Sequence, residues 1–194
     1  MHAGLLVAFE GLDQSGKQTQ AELLRDRLEA LGRQVALLQF PDYTTPLGTE
    51  IGLALRGERS YAADLLQLLY VANRYEWRGE IERLRASGAV VVCDRYVASS
   101  VAYGEAQGLD PSWLTDIQRH LPAPDLTLLL DMAPEVSAGR KATGRDRFEQ
   151  DLALLARVRT SYQRQVGPGW VRLDANRDRD AVAADVWQAL ASRL

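Results

Sequence analysis

The chain has 194 residues, enough for one domain with a sizeable core, with 46% hydrophobic and 25% charged residues and a net charge of −3. That balance argues against a nucleic-acid partner, which usually meets a basic excess. No apolar stretch approaches the roughly 20 residues that span a bilayer, so no membrane partner is expected either. The single cysteine, Cys93, excludes an internal disulfide and fits a reducing compartment, and the N-terminus shows no basic leader or cleavage pattern. These features predict a cytoplasmic protein. His2 and His120 lie in no ligand pattern, so no zinc site is expected.

The first predicted element is a strand at about 5–10, the apolar run Leu5-Leu6-Val7-Ala8-Phe9. It leads into Glu10-Gly11-Leu12-Asp13-Gln14-Ser15-Gly16-Lys17 and then an amphipathic helix over about 17–31. Strand, glycine loop, lysine and helix in that order form a phosphate-binding loop. Gly11 and Gly16 let backbone N–H groups face a phosphate, the helix N-terminus adds partial positive charge, and Lys17 reaches the outer phosphates. The nucleotide-binding segment is therefore Gly11, Leu12, Asp13, Gln14, Ser15, Gly16, Lys17, Gln18 and Thr19. Of 23 lysines and arginines only Lys17 and Lys141 are lysines, so a lysine-poor chain keeps one at this position. Position 18 departs from the usual pattern, which carries a serine or threonine hydroxyl for Mg²⁺. Thr19 does not replace it, because one helical residue is a rotation of about 100°. Either phosphates, water and carboxylates hold the metal, or Gln18 supplies an amide oxygen.

Further strands are predicted at about 34–39, 89–94, 125–131 and 170–174, each short and apolar on both faces as buried parallel strands are. Helices are predicted at about 47–57, 62–87, 97–107, 111–120, 134–140, 148–166 and 179–193. Gly32 and Gly88 sit where left-handed C-caps occur, and Asp110-Pro111 reads as a cap followed by a first-turn proline. The alternation predicts one α/β domain over 1–194, a five-stranded parallel sheet flanked by helices in three layers. Cys93, inside Ala89-Val90-Val91-Val92-Cys93, reads as a buried strand thiol. The stretch Gly139-Arg140-Lys141-Ala142-Thr143-Gly144-Arg145-Asp146-Arg147 carries four cations and two glycines. Beside a phosphate loop it reads as a short lid, about 139–148, that closes over phosphates.

Parallel sheets bind ligands at the carboxyl ends of their strands. That edge gathers the phosphate loop, Phe40, Pro41, Asp42 and Tyr43, the pair Asp94-Arg95 with Tyr96, and Asp131. Asp94 is placed to hold hydrated Mg²⁺ and Arg95 to grip a phosphate, against the alternative of a strand-closing ion pair. Asp131 is either an outer Mg²⁺ group or a helix cap, and Glu10 orients the loop. On the long helix Tyr70 and Arg74 are four apart and share a face, fit to stack a base and hold its monophosphate. Trp77 reads as core.

With these residues in view, the chain closely resembles the thymidylate kinases among the P-loop nucleoside monophosphate kinases. The resemblance rests on Phe9-Glu10-Gly11-Leu12-Asp13 with Gly16-Lys17, Phe40-Pro41, Ala72-Asn73-Arg74, Asp94-Arg95-Tyr96 with Ser99 and Tyr103, and Asp146-Arg147-Phe148-Glu149. It implies phosphorylation of dTMP to dTDP by ATP and Mg²⁺, feeding dTTP synthesis, in a homodimer. It implies that Asp13 sits near the nucleotide sugar and phosphate, that Tyr70 stacks on thymine, and that Arg74 bonds the base rather than the monophosphate. It also implies that Arg95 bridges the two phosphates with Asp94 assisting Mg²⁺ through water, and that Phe40, Ser99, Ser100 and Tyr103 line the pocket. With no arginine inside Leu12-Asp13-Gln14-Ser15, the catalytic arginine is expected in the lid, among Arg140, Arg145 and Arg147. The alternatives are a kinase for UMP, CMP or a deoxynucleoside, or a nucleotide-dependent switch.

Overall fold

The computed structural model describes residues 4–140 and 151–194. Five strands, β1 (Leu6–Gly11), β2 (Val35–Gln39), β3 (Val90–Asp94), β4 (Leu126–Asp131) and β5 (Trp170–Asp174), form one sheet in the order β2-β3-β1-β4-β5. Every pairing is parallel. The three central strands, β1, β3 and β4, are buried along their whole length. A strand covered on both faces can carry apolar residues at every position, which is why their sequences do not alternate with polar ones. Successive side chains still point to opposite faces. Val7 and Phe9 pack with Val90, Val92, Leu128 and Leu130 against helices α1 (Lys17–Ala30) and α9 (Arg179–Ala191). Leu6 and Ala8 face the other way, with Val91 and Cys93, toward α4 (Arg78–Ala86).

The remaining helices are α2 (Pro46–Leu55), α3 (Ala63–Glu76), α5 (Val97–Ala106), α6 (Pro111–Asp116), α7 (Pro134–Gly139) and α8 (Leu152–Gln165). Three carry proline in the first turn, and the predicted cap at Asp110 forms, its Oδ1 accepting from the Ser112 N–H at 2.8 Å. Two boundaries differ from the sequence expectation. The helix expected over 62–87 is two, broken at Trp77, whose φ and ψ of −95° and −5° tighten the turn. There the indole Nε1 donates to Asp42 Oδ2 at 3.0 Å, so Trp77 is fastened to the β2–α2 loop rather than packed only as core. The helix expected over 111–120 ends at Asp116 and continues as turns. Positions 148–150 of another expected helix, and positions 141–148 of the expected lid, lie outside the described residues.

The β2–α2 loop folds back tightly on the first turn of α2. A Cβ at Gly48 would stand 1.7 Å from the Asp42 carbonyl oxygen. Gly48→Ala is therefore expected to destabilise by about 1–3 kcal/mol, as overpacking does, although alanine is the better helix former. Thermal melting checks this: a Tm lower by several degrees is expected, and an unchanged or higher Tm contradicts it.

Candidate active site

The carboxyl edge of the sheet holds two confluent cavities. The wider is lined by Gly16, Lys17, Gln18, Thr19, Asp94 and Arg140, among others. The narrower runs from Phe40 past Gln67, Tyr70 and Arg74 to Ser99, Ser100 and Tyr103. Asp13, Phe40, Pro41, Tyr43 and Arg95 line both. Phosphate-loop residues, Phe40, Pro41 and Tyr43, and the predicted residues of α3 and β3–α5 thus meet in one place, whereas Asp42 bonds Trp77 and, like Gly11, Leu12 and Ser15, lines neither cavity.

The phosphate loop has its form because two glycines allow it. Gly11, at φ 141°, approaches β4 so closely that a Cβ would lie 2.5 Å from the Leu130 oxygen. Gly16, at φ 91°, is the residue before α1 and turns the chain into the helix. Lys17 Nζ donates to the Leu12 oxygen at 2.7 Å from a buried position. Burial, reinforced by the neighbouring Arg95 charge, lowers its pKa to about 8 against the pull of Asp13, Asp94 and Glu10. Gln18 is exposed and donates from Nε2 to Glu22 Oε1 at 3.0 Å, and Thr19 is exposed on the same helix.

Arg95 adopts a left-handed backbone, φ 64°, directly after β3. This turns its guanidinium across β1, where Nη2 pairs with Asp13 and Nη1 donates to the Gly11 oxygen at 3.2 Å. Asp13 also accepts from the Tyr103 hydroxyl at 2.9 Å. Burial pushes the Asp13 carboxyl up, but the Arg95 and Lys17 charges and the Tyr103 bond reverse this and hold it far below the usual carboxylate range. The partner of Arg95 is therefore Asp13, and the strand-closing pair with the adjacent Asp94 is not what forms. Glu10 is fully buried and accepts from the Tyr96 N–H at 2.9 Å, the Ser99 hydroxyl at 2.6 Å and the Tyr162 hydroxyl at 3.2 Å. It anchors α5 and α8 to the sheet edge.

Among the described residues no group of three or more His, Cys, Asp or Glu forms a metal cage. Asp94 fits a different kind of metal site. It is buried at the wider cavity, and its Oδ1 has no hydrogen-bond partner among the described residues. One hard carboxylate oxygen beside a phosphate loop suits a Mg²⁺ that keeps water and phosphate ligands. Asp131, expected as a metal or capping group, is neither. Its carboxylate pairs with Arg159 Nε at 2.7 Å and with Arg172, and the residue that precedes α7 as its cap is Ala133. The β5 strand beside β4 and helix α8 above supply those two cations, and sequence separation hid them.

The narrow cleft is walled by Phe40, Tyr70 and Leu55, with Arg74 buried at its base. Arg74 Nη1 donates to Ser100 Oγ at 2.7 Å and to Gln118 Oε1 at 3.3 Å. Gln118, Asn73 and Gln67 were not singled out as functional from sequence. Asn73 is fully buried and fixes the β2–α2 loop, accepting from the Asp42 N–H at 2.8 Å and donating to Thr45 Oγ1 at 2.9 Å. Its place in Ala72-Asn73-Arg74, one residue before Arg74, was the available signal. Arg140 donates to the Gln14 oxygen at 3.2 Å and the Ala175 oxygen at 2.9 Å, beside the phosphate loop. Arg145, Arg147 and the segment Asp146-Arg147-Phe148-Glu149 lie outside the described residues.

A family model described as Thymidylate kinase matches residues 9–186. The chain belongs to the thymidylate kinase family. It is 33% identical to the thymidylate kinase of Schizosaccharomyces pombe over 189 residues, covering 94% of this chain and 90% of the relative. It is 38% identical to that of Ruegeria pomeroyi over 208 residues, covering 98% and 96%. The solved structure of Candida albicans thymidylate kinase superposes with a TM-score of 0.89 at 30% identity, over 98% of this chain and 92% of that one. That protein is described as having broad substrate specificity and a novel structural element.

Lys17 yields a pH prediction. It is charged below about pH 8 in the ligand-free protein and neutral above it. Since kcat/KM reports the free enzyme, kcat/KM for ATP is expected to fall above about pH 8, while the limb in kcat shifts higher as bound phosphates hold the proton. A kcat/KM profile flat through pH 9.5, about 1.5 units above, contradicts the charge assignment.

Proposed function

We propose that the chain transfers the γ-phosphoryl group of ATP to the 5′-phosphate of dTMP, giving dTDP and ADP. The observation that carries this reading is the confluence of the two cavities at Asp13 and Arg95, the only charged residues that line both among those described. A donor held by the phosphate loop and an acceptor held by its base on Tyr70 and Arg74 would bring their phosphates together there.

Such a transfer needs positioning and charge neutralisation rather than a protein nucleophile, and the acceptor phosphate is already anionic, so no general base is required. Lys17 would neutralise the outer phosphates of the donor, and the Arg95 fork would bridge donor and acceptor. Arg95 is well prepared for this. Apart from the Asp13 pair, its contacts to Gly11, Ser99, Tyr162 and Tyr103 are 3.2–3.4 Å, long enough that phosphate oxygens replace them at small cost. Asp13 keeps the guanidinium turned to the seam and stays anionic throughout, beside the site of the sugar. Tyr103, Ser99 and Ser100 complete the wall of the acceptor cleft, and Tyr43 closes its mouth. Asp94 would hold Mg²⁺ through water, and the bound ion would supply charge neutralisation between the donor phosphates. Arg140 reaches the loop from the far side and is the described candidate for the lid-type arginine.

Two further readings belong here. Leu65 and Leu68, three apart on α3, are 45% and 43% exposed. An apolar pair on one helical face supports a homodimer seam. The use of a single cysteine, Cys93, free and buried in β3, is in keeping with placement in the cytoplasm.

The test is ADP formation from Mg·ATP with dTMP, dUMP, UMP, CMP, AMP or GMP offered separately. Strong preference for dTMP is expected; preference for another acceptor overturns the base assignment, and absence of acceptor-dependent turnover overturns the kinase reading. Lys17→Ala is expected to lose ~10²–10³-fold in kcat, the range for one preorganised charge donor, with a Tm close to that of the parent. Near-normal turnover contradicts its role.

A further inference from the structure

Helix α3 carries two buried polar atoms that find no partner among the described residues. Gln67 is 1% exposed and Arg74 3% exposed. Gln67 Oε1 and Arg74 Nε make no hydrogen bond among the described residues, although Nη1 of the same arginine is bonded to Ser100 and Gln118. The two residues stand three before and four after Tyr70, so all three occupy one helical face, and all three line the narrow cleft. A buried acceptor or donor without a partner costs about 1–3 kcal/mol, and each such group in a folded protein calls for an explanation.

A ligand that enters the cleft supplies one. The unsatisfied set is one acceptor, the amide oxygen, and one donor, the guanidinium N–H. An arginine has no acceptor and cannot reverse its polarity. Whatever ring atom faces Arg74 must therefore accept, and this fixed end sets the pattern; with its oxygen as the unpartnered atom, the Gln67 amide takes a donor beside it. A pyrimidine imide, an N3–H flanked by carbonyl oxygens, carries that order along the edge remote from the sugar. Cytosine carries the reverse there: an amino donor at C4, which would meet the guanidinium, beside an unprotonated N3, which would meet the amide oxygen. A site built to bond a particular N–H or O–H rejects the analogue that lacks it more strongly than an apolar slot does.

We infer that Gln67 is a specificity-determining residue: its Oε1 accepts the N3–H of the acceptor base, while Arg74 donates to the neighbouring carbonyl oxygen. This rests on the reading of the narrow cleft as the site of a nucleoside monophosphate, and it adds a second base contact, one turn ahead of Tyr70. The pair gives the cleft a preference for the imide bases thymine and uracil over cytosine through hydrogen-bond polarity rather than size.

Calorimetric binding of dTMP and of N3-methyl-dTMP to the intact enzyme tests it, with parallel titrations of Gln67→Met and Gln67→Glu. Methionine preserves the length of the side chain without the acceptor; glutamate keeps an oxygen in its place. The expected result is that the parent binds dTMP at least about tenfold more tightly than the methylated analogue, the value of one buried hydrogen bond. Gln67→Met is expected to lose most of that preference, and Gln67→Glu to retain it. Equal weakening of both ligands by Gln67→Met, or an undiminished preference, overturns the inference by making Gln67 a packing residue. If Gln67→Met melts before it can be titrated, Gln67→Glu decides: a glutamate variant that no longer prefers dTMP overturns the assignment. The kinase reading fails separately, when dTMP binds but the parent forms no ADP with it.

Discussion

The site depends on a single backbone reversal. Arg95 takes a left-handed conformation where β3 ends, a geometry that costs a non-glycine residue of order 1–3 kcal/mol and persists only where its surroundings enforce it. Here the enforcement is visible. The Arg95 N–H donates to the Phe9 oxygen at 2.9 Å, continuing the β1–β3 ladder, and its guanidinium is gripped by Asp13 across the strand. An extended residue at this position would project its side chain from one face of the sheet, as strand residues do. Because the turn exists, one guanidinium lines both the wider cavity and the narrower cleft.

The charges around it are arranged to stay where they are. Glu10, Asp13 and Asp94 face Lys17, Arg74 and Arg95 within a poorly solvated edge, so each cation is partly compensated before any phosphate arrives. Burial works against both Lys17 and Arg74, drawing their pKa values downward, and an anion arriving at the phosphate loop would relieve that cost at Lys17. Glu10 serves a different purpose. Its three hydrogen bonds tie the start of α5 and the hydroxyl of Tyr162 on α8 to β1, which keeps the wall carrying Ser99, Ser100 and Tyr103 in register with the loop. The nearby Asp131 pairs do the same for β5 and α8.

What could be read in the sequence follows from what local physics determines. Five strands announce themselves by apolar runs, although the edge strands β2 and β5 are only partly buried rather than covered on both faces as expected, and the phosphate loop by its glycines, so the sheet, its helices and the residues at its carboxyl edge were legible. Asp131 was not, because its partners Arg159 and Arg172 are 28 and 41 residues away and nothing in a solvated-looking arginine marks it as paired. The break at Trp77 was hidden for the same reason: helical spacing runs through it, and the indole contact with Asp42 is made across 35 positions. Gln67 reads as one more polar residue on an amphipathic helix until the fold shows its oxygen at the cleft, buried and without a partner among the described residues. Asn73 sits inside a motif whose neighbours looked more chemical, although it holds the loop that brings Phe40 and Tyr43 to the cleft.

The central claim is that Asp13 and Arg95 act as one partly buried unit. A double-mutant cycle on equilibrium unfolding, with Asp13→Asn, Arg95→Met and the two combined, tests it most directly. Each single change strands the other partner, so the combined variant is expected to be more stable than the two losses summed would allow, by roughly 1–3 kcal/mol. Losses that simply add, within about 0.5 kcal/mol, would mean that the pair is incidental and that something else sets the position of Arg95.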